Sequence, residues 1–518
     1  MVGPTAPPAC ESVYRRCVFL AVLLISVAGG SAAAADVPTA DALRERIRSA
    51  AGTPPPTSHS VLTYEANGFH GRHETYRSGD DFREIVEEGP FTTQSGRFEK
   101  QAWHQNENGE TVLDQPDPGA ATKDTYTTSV RAIATPIIGY VIAELNLAGS
   151  GTREYVDSAT WHVVRRERIR PIGTTTYAYD DFRTVDGRTR AWHWTVRDGH
   201  AENDAEYRLE REAHDVRASD VAIAAPRGRF VSFPAGKQRI ALPVHAEGGR
   251  FYVRLMVGAR GLDFLLDTGA GGITIDENVA RQLGLEIRGR YSTAESAGRY
   301  KSGRVLVANV AIGELTMHNV TMDVTPPIER GGGNVRAVGL LGFDFIGALA
   351  LELDYQHGAV TAIEPAAFVP PVTPHTIALD IRLGTQQPMT DVAINGAVGE
   401  RFIVDTGASA PLMIFDYFMR RHRKALVDLG AGLYRERRYS GVGGDFETQP
   451  FQLASIRLGT AEFKNFLAFA VRSKTAYTGD EDGLFGAEFL SLFNVYLDYG
   501  ESRIYLEPND VGRAASGR

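Results

Sequence analysis

Cysteine is nearly absent from this 518-residue chain: its two copies, Cys10 and Cys17, both fall within the first twenty residues. If that leader is removed no thiol remains, which excludes a disulfide framework, a thiolate nucleophile and a Cys-ligated metal from the mature protein. Stability must then come from packed cores, and a chain of this length can supply two or three of them. Basic blocks are scarce as well. The formal charge is −9, and nucleic acid is not expected as a partner because phosphate binding needs clustered Lys and Arg. The one dense basic run, Arg420-Arg421-His422-Arg423-Lys424, reads as a solvated helix face. Helical periodicity is brief, as in Asp276 to Leu283 before the stop at Gly284. Most apolar segments are short, bounded by Gly and rich in Val, Leu and Ile, which predicts strands.

Against these absences stands a duplication. Phe264-Leu265-Leu266-Asp267-Thr268-Gly269-Ala270 and Phe402-Ile403-Val404-Asp405-Thr406-Gly407-Ala408 each place an Asp at the end of an apolar strand, with Thr-Gly-Ala after it. At average usage a stray Asp-Thr-Gly is expected in only about one chain in ten of this length. The motifs lie 138 residues apart, and other segments repeat in the same order at similar offsets. Ile240-Ala241-Leu242 matches Ile377-Ala378-Leu379, and Gly258 matches Gly396. Downstream, Gly339-Leu340-Leu341-Gly342 matches Gly483-Leu484-Phe485-Gly486, and Leu353-Asp354-Tyr355 matches Leu497-Asp498-Tyr499. Two β-rich units are expected, over 236–365 and 375–508, with Pro-rich joins before each. Two one-Asp motifs supply two carboxyls, and a carboxyl pair sharing one proton can drive hydrolysis by water. The competing reading is a pair of Asp-capped turns in a non-catalytic β repeat.

The Asp-Thr-Gly-Ala motif and the late apolar-apolar-Gly segment resemble those of the retropepsin-like aspartic proteases, here as two lobes in tandem. The resemblance covers roughly residues 236 to 508 and implies a mainly β, pseudo-two-fold bilobal protease. It implies Asp267 and Asp405 as the catalytic pair, acting on a peptide or protein substrate without metal or cofactor. It further implies cross-lobe hydrogen bonds from Thr268 and Thr406, tight turns at Gly269 and Gly407, and closure around the loops by Leu340, Leu341 and Gly342 and by Leu484, Phe485 and Gly486. Pepsin-like enzymes carry Ser or Thr after the Gly, where this chain has Ala270 and Ala408. Losing a donor to the charged form raises a carboxyl pKa, so a pH optimum nearer neutrality than pepsin's is expected. Flap tips are expected at Ser296 and Gly298 and at Ser440, Gly441, Gly443 and Gly444, although glycine-rich tips also suit ordinary surface loops. Tandem fusion makes a monomer with intramolecular lobe pairing the expected state. Its rivals are lobes that pair between chains and a periplasmic peptide- or lipid-binding carrier without turnover.

Arg15-Arg16, the apolar run Cys17 to Ala28 and the small residues Ser31 to Ala35 follow the order of a signal peptide over 1–35, which predicts export to the periplasm or beyond. An uncleaved membrane anchor is the alternative. From 36 to 230, after a short amphipathic helix at Asp41 to Ala50, strands alternate with Asn108-Gly109, Asp186-Gly187 and Asp198-Gly199 turns, which predicts a separate antiparallel sheet. All four tryptophans lie there, and Trp103, Trp161 and Trp192 each precede a His. Strand alternation predicts Trp in a core and His outside, not a metal site. Tyr177 to Gly187 is similar to a stretch of lipoprotein-carrier-like envelope domains, which implies a half-barrel and a ligand- or partner-docking role.

Overall fold

Alternating strands and tight turns between Thr57 and Ala213 build one 13-stranded antiparallel sheet. The computed structural model describes residues 37–516 except 115–125, 147–148, 171–172, 296–297, 328–334, 384–385, 425, 427–434, 442–443 and 473–480. The leader and the tips Ser296 and Gly443 therefore lie outside the described residues. In the sheet, the chain meanders from Thr57–Ala66 to one edge at Thr111–Leu113, then re-enters at the other edge and returns to pair Ala205–Ala213 with Thr57–Ala66. This is the half-barrel expected. Asp186 and Gly187 take positive φ (49° and 77°) in the turn joining Gly173–Val185 to Arg188–Arg197, as a primed hairpin turn requires. Helix Ala40–Ala51 begins where Thr39 Oγ1 accepts the Ala42 N–H and ends at Gly52, and Leu43 packs on Ile142 and Val156.

The tryptophans divide differently from the expectation. Only Trp103 is fully buried; Trp161, Trp192 and Trp194 are half-buried. Trp161 precedes its strand with φ 58°, so alternation does not govern it. Trp194 stacks on Tyr207 across the sheet.

The C-terminal half contains three sheets. A nine-stranded sheet belongs to the first lobe and a seven-stranded sheet to the second. A six-stranded sheet joins them, with three strands from each half in mirrored order. Its centre is the antiparallel pair Ala350–Asp354 with Phe493–Asp498, and these are the strands that precede and contain the repeated Leu-Asp-Tyr segments. One buried cluster runs through both lobes, from Val253, Phe264 and Leu351 to Phe402, Phe485 and Leu497. The duplication reaches the backbone: Asn319 and Asn465, at matching positions, take φ 50° and 52°.

The basic run is only partly a solvated face. Helix Asp416–Arg421 ends before Arg423, and the Arg421 guanidinium lies 3.2 Å from the buried Asp482 carboxylate while covering the Tyr417 ring. A buried carboxylate needs a cation, and Arg421 meets that need.

Candidate active site

Both Asp-Thr-Gly loops leave the ends of apolar strands, Arg260–Leu266 and Ala397–Val404, which lie deep in the core. The apolar-Gly elements run parallel beside them: Leu266 faces Leu341 and Val404 faces Phe485. Leu341 O then accepts the Asp267 N–H at 3.1 Å, and Phe485 O accepts the Asp405 N–H at 2.8 Å. Beyond them, the Phe343 N–H bonds Ala270 O and the Ala487 N–H bonds Ala408 O. Gly342 and Gly486 sit where a Cβ would strike those loop carbonyls. The six apolar-Gly residues named from the sequence thus hold the two loops in place.

The loops meet face to face. The Thr268 N–H donates to Thr406 Oγ1 (3.1 Å) and the Thr406 N–H to Thr268 Oγ1 (2.9 Å). Thr406 Oγ1 in turn donates to Leu266 O, and Thr268 Oγ1 to Val404 O. Each Asp accepts its own loop's N–H groups, Gly269 for Asp267 and Gly407 and Ala408 for Asp405, at 2.8 to 2.9 Å. The glycines also face the opposite lobe. A Cβ on Gly269 would lie 2.7 Å from Asp405 Oδ2, and one on Gly407 would lie 2.5 Å from Asp267 Oδ2. No other residue type allows that approach.

Asp267 and Asp405 share a side-chain hydrogen bond, which requires one of them to be protonated. Burial pushes Asp405 above the usual carboxylate range, while the Ala408 N–H, Asp267 and the Gly407 N–H pull it back. Behind the pair stand Tyr355 and Tyr499, from the repeated Leu-Asp-Tyr segments. Their hydroxyls are buried with no hydrogen-bond partner, and burial raises both above their ordinary value, with the charge of Asp405 added for Tyr355 and of Asp267 and Asp405 for Tyr499.

The pair opens into a cavity of about 1400 Å³. Its walls come from three regions: the first lobe, a small part of the second that includes Gln386 and Gln387, and the 13-stranded sheet. Gln387 Nε2 reaches across to donate to Gly269 O at 2.5 Å. The sheet's share, including Gln94, His104 and Glu107, carries no sequence signal, because it arises from contact between distant segments.

The candidate flaps are hairpins. Glu295 pairs Gly298 at the tip of the first, and Gly441 pairs Gly444 at the tip of the second, which also carries Ser440. They are not equivalent. Thr293 and Tyr300 of the first line the cavity, whereas among the described residues none of Arg437–Leu458 does. The sheet holds the first hairpin at its base. Arg304 pairs with Glu88 and lies over the rings of Phe69 and Phe91. Asn203 bonds both the N–H and the O of Ser292, and Asn67 O accepts the Arg290 N–H at 2.6 Å.

Among the described residues no group of His, Cys, Asp and Glu is arranged to hold a metal, and no helix is long and apolar enough to cross a membrane.

Residues 253–345 and 390–489 each match the aspartyl protease family model. No curated protein sequence matches the chain significantly. Among solved structures, an aspartic proteinase from Irpex lacteus is similar at 12% identity over 54% of this chain and 99% of its own, with a TM-score of 0.36. A LolA superfamily protein from Nitrosomonas europaea aligns at 12% identity over 36% of this chain and 98% of its own (TM-score 0.26). A DUF1329 family protein from Desulfovibrio piger aligns at 12% over 34% and 91% (TM-score 0.26).

Proposed function

We propose, taking as premise the aspartyl protease match of both lobes, that this chain is an exported aspartic endopeptidase whose single catalytic pair is Asp267 and Asp405. The observation that carries the reading is the mutual approach of the two loops, each glycine against the other lobe's carboxyl. A lone Asp-capped turn has no use for it. In the reaction, the ionised carboxylate takes a proton from a water molecule as the water oxygen attacks the scissile carbonyl carbon. The protonated partner donates to the carbonyl oxygen. The tetrahedral diol collapses: the C–N bond breaks, the proton taken from water passes to the leaving amine, and one diol hydroxyl returns its proton to the partner carboxylate, which restores the singly protonated pair. The six-stranded sheet shared by the lobes supports pairing within one chain. The leader pattern supports export, and the contacts of the 13-stranded sheet with the first flap support its retention in the working enzyme.

The test is cleavage of a diverse peptide library by the purified protein between about pH 4 and 8, beside Asp267→Asn and Asp405→Asn. Activity in the parent, lost in either variant alone, is the expected result. Partial activity in each variant would mean that the lobes pair between chains. No cleavage by the parent at any pH would favour a binding protein built on protease-like lobes.

A further inference from the structure

The cleft has an acidic end. Five carboxyl groups besides the catalytic pair line the cavity, against two arginines, and neither arginine is free. Arg304 is held by Glu88 between two aromatic rings, and Arg299 donates to Ser292 O at 3.0 Å. Asp344 stands in helix Phe343–Ile346, directly after the apolar-Gly element. It accepts the Ile273 N–H, and a Cβ on Gly272 would lie 3.2 Å from its Oδ2. The loop from Asp267 to Ile273 therefore has Asp405 against its start and Asp344 against its end. Asp323, whose carboxylate accepts the Tyr291 hydroxyl at 2.6 Å, and Glu107, in the turn between strands Gln101–Gln105 and Thr111–Leu113 of the 13-stranded sheet and 3.8 Å from Arg304, complete the recess.

We propose that this recess between Asp344, Asp323 and Glu107 is a specificity subsite that takes a basic side chain, Lys or Arg, of the peptide lying across the catalytic pair. The inference rests on the endopeptidase reading. Among the described residues, no Lys, Arg or His comes within ion-pair distance of Asp344. An independent sign of a missing partner lies in the same cavity wall. Thr325, 1% exposed, lines the same cavity with a hydroxyl that has no partner, and the Thr321 hydroxyl is likewise orphaned. A buried carboxyl without a counter-cation, beside hydroxyls without partners, is what an ammonium or guanidinium satisfies, since those groups carry only donors. An acidic side chain would be repelled there, and an apolar one would leave the polar groups buried and unmet. Burial, with Glu107 and Asp323 close by, pushes Asp344 up to about 7, and an entering cation would draw it back down. The recess and the catalytic pair open into the same cavity, with the loop from Asp267 to Ile273 running between them, so a peptide lying across the pair has access to it. Glu107 makes the 13-stranded sheet part of the substrate site and not only its support.

The experiment uses the full chain and matched peptides that differ only in Lys, Arg, Gln, Met or Glu at each position around the cleavage site. At one position the parent is expected to prefer Lys or Arg over Gln by at least about tenfold in kcat/KM, with Glu the poorest. Asp344→Asn and, separately, Glu107→Gln are each expected to reduce that Lys-to-Gln ratio, Asp344→Asn by about tenfold. The two substitutions lie in different domains, so a folding failure in one leaves the other as the test. Cleavage with no basic preference anywhere, or a ratio untouched by both substitutions, overturns the subsite while leaving proteolysis intact. No cleavage by the parent overturns proteolysis, and the subsite with it.

Discussion

Thr268 and Thr406 each receive the other's backbone N–H on their hydroxyl oxygen and pass their own hydroxyl proton to a carbonyl of the opposite lobe. Four hydrogen bonds cross the pseudo-two-fold axis directly beneath the carboxyls, and both residues are 1% exposed. Removing either hydroxyl leaves a buried N–H and a buried C=O unmet, each costing about 1 to 3 kcal/mol. Thr406→Ala is therefore expected to lower unfolding free energy by at least about 2 kcal/mol in urea titrations and to reduce kcat more than KM. Thr406→Ser keeps the oxygen and should recover most of both. Equal behaviour of Ala and Ser would mean that the bonds do not set the geometry.

The activity profile should follow the pair. Ala270 and Ala408 offer no side-chain hydroxyl to the carboxylates, and burial holds Asp405 above the ordinary carboxylate range. Hydrolysis needs one proton on the pair, so the active window runs between its two apparent pKa values. Raising the upper value extends that window towards neutrality. A kcat/KM profile with its maximum above about pH 4 is expected, and a maximum below about pH 3 would contradict the assignment of causes.

Arg304 ties the first flap to the 13-stranded sheet, and its side chain and that of Glu88 are each only 18% exposed. Arg304→Met leaves Glu88 without its cation. Breaking a pair buried to this degree costs on the order of 3 kcal/mol. A double-mutant cycle of Arg304→Met with Glu88→Gln should show a coupling above about 1 kcal/mol, and hydrogen exchange at Tyr291 to Glu295 should accelerate in the Arg304 variant. Unchanged exchange would mean that the sheet and flap move independently.

The lobes were legible because duplication is visible at single-residue level: Gly258 and Gly396, 138 residues apart, and the paired Leu-Asp-Tyr segments, 144 apart, keep their order. The Asp loops could be read for the same reason. What could not be read was anything built by contact between the repeat and the rest. Glu107, Asp344 and Arg304 have no period and no motif, and they acquire meaning only when the sheet lies against the first flap. Trp161 was misread because alternation applies within a strand, and it precedes one with a positive φ. The basic run was misread because its partner, Asp482, lies 61 residues beyond Arg421 in a segment with no marker of burial.

Asp344 also predicts how stability varies with pH. Its carboxyl is raised to about 7 in the fold, against about 3.9 in an unfolded chain. Between those values the native state binds more protons at this site than the unfolded state, so its contribution to unfolding free energy falls as pH rises. The stability that the neutral carboxyl confers is fully present below about pH 4 and is lost progressively until pH passes about 7. Asp405, also raised by burial, contributes with the same sign, so the slope of the parent alone assigns nothing; the difference between parent and Asp344→Asn does. An amide does not ionise, and Asp344→Asn should therefore flatten the decline, gaining stability relative to the parent at pH 7.5 and not at pH 4. Adding a Lys peptide that occupies the recess should reduce the same difference, because its ammonium stabilises the ionised carboxylate of the parent and has no charge to meet in the variant. Parallel pH curves for the two proteins would show that Asp344 is ionised without penalty, through solvent or a counter-ion, and is not the desolvated carboxyl of this recess.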